Sequence, residues 1–200
     1  MTDLFHDKAA DWDERPIPVQ ISEGVTRALL EAVRFEPGMT VMDFGAGTGL
    51  VASRIAPQVE RLLAVDISEA MLEQLAKKPE LAGKVVIHCR DILDTPLDET
   101  VEVIVSAMAM HHVEDTKALF EAFHAHLVPG GRLAVADLDT EPGTFHPPGT
   151  EGVFHAGFDR DALRALLDEA GFVDVAFVTA CHVDRDERHY PIFLLTATRP

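Results

Sequence analysis

The sequence has little cysteine, little positive charge and no long apolar run. Its two cysteines, Cys89 and Cys181, form neither a CxxC pair nor a disulfide framework, and each falls in an expected strand as a buried free thiol. Only 17 basic residues stand against 34 acidic ones, a formal charge of -17, and the basic ones are scattered. That balance repels a phosphate backbone, which excludes DNA and RNA as partners. Nowhere do ~18 apolar residues run unbroken, so no membrane span is expected. The stretch from Met1 to Lys8 has neither a basic start nor an apolar run behind it, which excludes a secretory signal; a cytoplasmic protein follows.

What is present suits one compact domain over residues 1–200, with 47% hydrophobic content to build a core. A polar arm, residues 1–20, leads into a helix on which Val25, Ala28, Leu29, Ala32 and Val33 recur at helical spacing. Short aliphatic runs then alternate with helical patterns. Residues 40–44, 61–66, 85–89, 101–106 and 132–137 read as strands, and such alternation implies βαβ units and a parallel sheet. Ser68, Asp115 or Thr116, and Asp159 stand where helix N-caps are expected; Pro129-Gly130-Gly131 and Gly171 stand as stops. Two further strands, about 173–182 and 191–198, finish the chain. The Pro-, Gly- and His-rich segment 140–157 is long for an internal connection, and loops of that kind are usually functional or disordered.

The chemistry concentrates in Val41-Met42-Asp43-Phe44-Gly45-Ala46-Gly47-Thr48-Gly49, a strand running into a glycine-rich turn. Glycines let the backbone turn tightly and bring its N–H groups near a ligand. The next strand ends in Asp66, where a carboxylate accepts both hydroxyls of an adenosine ribose. A dinucleotide fingerprint reads G-x-G-x-x-G and would make an NAD(P)-dependent oxidoreductase. Here the spacing is Gly45-x-Gly47-x-Gly49, preceded by Asp43, and an acidic side chain at the strand end suits a ligand bearing an ammonium group.

On these residues the chain resembles a class I S-adenosylmethionine-dependent methyltransferase, of the type-11 domain group that includes quinone and other small-molecule enzymes, over about residues 20–199. The resemblance implies a Rossmann-like, doubly wound α/β fold with a seven-stranded sheet, mostly parallel with an antiparallel last strand. It implies S-adenosylmethionine as cofactor, leaving as S-adenosylhomocysteine, and a small-molecule acceptor methylated at O, N, S or C. Asp43, Gly45, Ala46, Gly47 and Gly49 would wrap the methionine and ribose, Asp66 would hold the ribose hydroxyls and Ile67 would pack on adenine. Arg90-Asp91-Ile92 resembles the motif whose Asp91 side chain and Ile92 amide address the adenine edge. Ser106 and the loop through His111 and His112 resemble the motif lining the transfer site. The arm around Trp12 resembles one that folds over the cofactor. The rival from another class is a non-catalytic S-adenosylmethionine-binding module.

Methyl transfer is an in-line displacement at an activated carbon, and much of its catalysis comes from alignment. A base is needed only where the acceptor must lose a proton. His112 is the first candidate, with His111 beside it and His155 on the lid-like segment. No ligand spacing among the histidines supports a metal. His124 and His126 lie two apart on a helix, off a common face, and are expected to be solvated.

Overall fold

The computed structural model describes residues 3–185 and 188–200. The first two residues of the expected arm, Met1 and Thr2, fall outside that range. The elements run α1 (Pro16–Ala32), β1 (Thr40–Phe44), α2 (Ala52–Ile55), β2 (Arg61–Asp66), α3 (Glu69–Ala76), β3 (Val85–Cys89), β4 (Val101–Ala107), α4 (Thr116–His126), β5 (Leu127–Leu138), α5 (Arg160–Glu169), β6 (Val173–Arg185) and β7 (Arg188–Thr198). One seven-stranded sheet has the order β3-β2-β1-β4-β5-β7-β6, parallel throughout except that β7 runs antiparallel to both its neighbours. This is the expected Rossmann-like, doubly wound α/β architecture.

Period-two alternation in the strands builds two cores, one on each face. Val41, Leu62, Ala64, Val103, Val105, Ala134, Ala136, Ile192 and Leu194 point to one face, where Val25 and Leu29 of α1 and Leu72 and Leu75 of α3 cover them. Met42, Leu63, Val65, Ile104, Leu133, Val135, Phe193 and Leu195 point to the other, under Phe120 and Phe123 of α4 and Leu163 and Leu167 of α5. A strand buried on both sides reads as a continuous aliphatic run. The expected caps form: Ser68 Oγ accepts from Met71 N–H, and the carboxylates of Asp115 and Asp159 accept from the first turns of α4 and α5.

Some local expectations are corrected. Cys89 is exposed, because β3 is an edge strand, and Cys181 is only half-buried on β6. His126 is buried rather than solvated: its Nε2 accepts from Leu97 N–H at 2.9 Å and its Nδ1–H donates to Ala122 O at 2.7 Å. The helix before Pro129-Gly130-Gly131 has already ended at His126; β5 starts at Leu127 and takes those residues up where its register against β4 shifts. The arm is ordered into a 3-10 helix, His6–Glu14.

Helix α1 approaches β6 closely because position 24 lacks a side chain: a Cβ there would lie 2.5 Å from Cys181 Cβ. Gly24→Ala should therefore destabilise the protein, overpacking (~1–3 kcal/mol) outweighing the gain of ~1 kcal/mol in helix propensity. With Cys181→Gly added, the clash is gone and the same substitution should stabilise. Urea denaturation of the four proteins in this cycle checks both signs; a stabilising effect in both backgrounds would contradict the contact.

Candidate active site

The carboxyl ends of β1 and β4 meet where the chain order reverses, with β2 and β3 on one side and β5 on the other, and such a switch point opens a crevice at the strand ends. The glycine turn lies there. Gly45, Gly47 and Gly49 all have positive φ. Position 45 must be glycine for a second reason, since a Cβ would fall 2.2 Å from that of Ala109. At Gly47 a Cβ would meet nothing nearer than Gly45 O at 4.0 Å, so this residue faces open space.

Four of the turn's N–H groups, those of Gly45, Ala46, Gly47 and Gly49, are spent inside the protein. Gly45 and Ala46 donate to Val65 O (2.8 and 3.1 Å), Gly49 donates to Ala46 O (2.9 Å), and Gly47 donates to Asp66 Oδ2 (2.7 Å). The helix that follows is a single turn, Ala52–Ile55. A pyrophosphate needs free amides and a helix N-terminus, and neither stands at these positions.

Asp43 supplies the opposite electrostatics. It is 2% exposed, and its Oδ2 has no hydrogen-bond partner among the described residues. Burial, then the charge of Asp66, push its carboxyl up to about 8, with the Ala52 N–H opposing them. Ser106, opposite Phe44 in the β1–β4 register, is also buried with an unpartnered Oγ. Asp66 accepts from Ser68 N–H at 2.9 Å as well as from Gly47; burial raises its carboxyl while those amides pull the other way. Ile67 is 57% exposed beside it. Asp91 folds back to accept from Leu93 N–H at 2.9 Å, and Ile92 is fully buried in the core.

After β4 the chain passes through Met108 at φ 57°, left-handed backbone that is uncommon for a non-glycine and tends to cluster at functional sites. It then forms the short turn Met110–His112. His111 and His112 come together, their ring centroids 4.1 Å apart. His111 is buried, and its Nδ1 lies 2.7 Å from Asp137 Oδ1. His112 Nδ1 lies 2.6 Å from Gly152 O; burial, with His111 alongside, lowers its pKa to about 4. His155 does not join them: its Nε2 lies 2.9 Å from Val113 O and 3.3 Å from Thr116 Oγ1, and its ring packs on Phe158.

The structure brings five further residues to the site, of which Phe5 and Asp13 belong to the arm expected to fold over the cofactor. Phe5 stacks edge-on against His112 at 5.3 Å and against Trp12 at 6.0 Å. Asp3 accepts from Ser68 Oγ–H at 2.9 Å. Asp13 takes the Thr48 hydroxyl and pairs with Lys78 Nζ at 2.6 Å. Together they fasten the arm over the glycine turn. His146, from the 140–157 segment, has its Nε2 3.2 Å from that of His111. Asp137 had a signal in the sequence, since Leu133-Ala134-Val135-Ala136-Asp137 ends an aliphatic strand in Asp as Asp43 and Asp66 do.

Residues 41–131 match the methyltransferase domain family. The chain is 32% identical over 150 residues to an uncharacterised methyltransferase of Schizosaccharomyces pombe, covering 66% of this chain and 53% of that protein. It is 31% identical over 185 residues to the arsenite methyltransferase of Halobacterium salinarum, covering 81% and 46%. The chain thus spans about half the length of these curated relatives. Among solved structures, a Haloferax volcanii methyltransferase in complex with the Trm112 activator superposes with a TM-score of 0.83 at 19% identity, over 100% of this chain and 99% of that one. The N-methyltransferase NodS of Bradyrhizobium japonicum, in complex with S-adenosylhomocysteine, does so with a TM-score of 0.74 at 17% identity, over 99% and 95%. Sequence kinship through the glycine turn, on a sheet of this strand order, means that the chain belongs to the class I S-adenosylmethionine-dependent methyltransferases.

Proposed function

We propose that the protein binds S-adenosylmethionine in the crevice at the ends of β1, β2 and β4 and transfers its methyl group to a small-molecule acceptor. The observation that carries this reading is the pairing of a buried, unpartnered Asp43 oxygen with a glycine turn whose amides at Gly45, Ala46, Gly47 and Gly49 are already spent. That combination receives a cation and rejects a pyrophosphate, which also argues against a nicotinamide-dependent oxidoreductase. The donor set fits the cofactor part by part. Asp43 would take the ammonium group, and the open face at Gly47 would let the ligand lie against the backbone. Asp66, anchored by two amides, keeps lone pairs for the ribose hydroxyls; Ile67 offers an exposed apolar face for adenine, and the Asp91–Ile92 segment borders its edge.

When bound, the cofactor supplies an electrophilic methyl group on a sulfonium. What the chain supplies is position: the turn bearing His111 and His112 is held against the glycine turn through Ala109 and Gly45. The arm, with Phe5 and Trp12, and the segment 140–157 cover this region and exclude water from it. His155 serves that cover by tying it to the start of α4.

Calorimetry should find one S-adenosylmethionine or S-adenosylhomocysteine site per chain, with a raised Tm and no response to NADH. Asp66→Asn should weaken that binding roughly tenfold to a hundredfold, the value of ~1.5–3 kcal/mol for a charge-assisted hydrogen bond. Unchanged affinity would move the site elsewhere. Tight binding with no S-adenosylhomocysteine formed across a broad acceptor panel would favour a non-catalytic binding module.

Asp43 gives a pH signature. Its carboxyl binds a proton in the folded state up to about 8 but gives it up near 3.8 once exposed, so folding is favoured at low pH and loses that contribution as pH rises towards about 8. Asp43→Asn should raise the Tm of the cofactor-free protein most at pH 8, while weakening cofactor binding. In the wild type, affinity for the cationic cofactor should grow as pH rises towards 8, with proton release visible as a buffer-dependent heat. A pH-independent affinity would contradict this role for Asp43.

Trp12 is the only tryptophan and lies half-buried in the arm. Its emission should shift or quench on cofactor binding, and deleting residues 1–16 should leave a folded domain with weaker binding. No change in either measurement would reduce the arm to a tail.

A further inference from the structure

We propose that Asp137, His111 and His146 form a proton relay, and that the acceptor is therefore a protic nucleophile, a hydroxyl or a thiol. This rests on the methyltransferase reading above. Asp137 ends the buried run of β5 at 0% exposure. A carboxylate there is costly unless it is paired and hydrogen-bonded. Its oxygens accept from His111 N–H (3.1 Å), Leu138 N–H (2.7 Å) and the His111 ring at Nδ1 (2.7 Å). Burial pushes its carboxyl up, and His111 together with those amides outweighs that and holds it below the usual carboxylate range.

A carboxylate only accepts, so His111 carries its proton on Nδ1 and leaves Nε2 basic. His111 Nε2 faces His146 Nε2 at 3.2 Å. Two bare lone pairs, or two N–H groups, would repel at that distance, so His146 donates from Nε2 and its own basic atom is Nδ1. His146 is steadied on both sides. Glu141 accepts from the N–H groups of Thr144 (2.7 Å) and Phe145 (3.2 Å), Thr144 Oγ1 meets Tyr190 OH at 2.9 Å, and Phe145 packs edge-on against Tyr190 and against His146 itself.

The groups around the relay decide where a proton rests. Burial, then His111, His112 and Arg185, lower the pKa of His146 to about 4, so it passes a proton on rather than keeping it. His112 is lowered to about 4 as well, by burial, then His111, with Lys8 of the arm adding to it. Among the described residues, only His111 of the three rings has a carboxylate at hydrogen-bond distance. An imidazolium formed there is stabilised by direct pairing with Asp137.

In the transfer step the acceptor's O–H or S–H proton moves to His146 Nδ1 as its lone pair forms the bond to the methyl carbon. The carbon–sulfur bond of the sulfonium breaks with its electron pair going to sulfur. The His146 Nε2 proton moves to His111 Nε2; afterwards it returns to His146 Nε2, and the half-buried His146 gives up its Nδ1 proton to water, which restores both tautomers. An acceptor that attacks through a ready lone pair, such as a tertiary amine, needs none of this.

The test is imidazole NMR on the protein with S-adenosylhomocysteine bound, with calorimetry beside it. Nitrogen-15 spectra should show His111 protonated on Nδ1 and His146 on Nε2. In Asp137→Asn the downfield His111 Nδ1–H proton resonance should move upfield, because the charge-assisted hydrogen bond becomes a neutral one. With catechol and 2-mercaptoethanol as probe acceptors, His146→Gln should lower single-turnover methylation ~10²-fold or more at unchanged cofactor affinity, and added imidazole should restore part of it in His146→Gly. The opposite tautomer at either ring, a His111 Nδ1–H resonance unmoved by Asp137→Asn, or methylation confined to the proton-free nucleophile pyridine would overturn the relay. Loss of cofactor binding in calorimetry would instead overturn the methyltransferase reading, while the tautomers would still report on the cluster.

Discussion

Three strands of the central sheet end their aliphatic runs in an aspartate, and the architecture of the site follows from what it takes to keep a carboxylate at such a place. A charge removed from water without compensation is too costly to persist, so each must gain partners or give up its ionisation. The three solve this differently. Asp66 holds backbone amides from the glycine turn and from the start of α3. Asp137 holds an imidazole and two amides. Asp43 leaves one oxygen unsatisfied and keeps its proton to about 8. The carboxyl ends of β2, β1 and β5 thus offer a fixed acceptor, a latent anion and a carboxylate that orients an imidazole.

That latent anion is also why the glycine turn differs in kind from a phosphate cradle of similar spelling. The two share glycines because both need backbone close to a ligand. They part at the hydrogen bonds: here Val65 O and Asp66 consume the amides, and the helix beyond is too short to present a dipole. The discriminating residue is the acid two places before the first glycine, and its meaning comes from burial, which the spelling alone does not disclose.

How much could be read beforehand follows the range of the interactions. Strands buried on both faces, N-caps satisfied within three residues and the Asp43–Gly49 turn are local, and their patterns stand in the sequence. His126 misled because a two-residue spacing says nothing about a loop, at Leu97, that arrives from before β4 to bond its ring. Cys89 misled because an apolar run does not announce that its strand lies at the sheet edge. Asp13, Asp3 and His146 acquire their roles only from partners more than 30 residues away in the chain, where no periodicity reaches. Asp137 lies between these cases: its strand-end position was visible, its histidine partner was not.

The position of β7 bears on how the protein is made. It is the latest of the seven strands in chain order, yet it lies inside the sheet, hydrogen-bonded to β5 along one side and β6 along the other. During synthesis from the N-terminus, β5 must wait with an open ladder, its buried aliphatic face already formed, until β7 has left the ribosome. An unpaired apolar strand is a template for pairing with another chain. The nascent protein is therefore most prone to aggregation in the interval between the emergence of β5 and that of β7, an interval spanned by the 140–157 segment, α5 and β6.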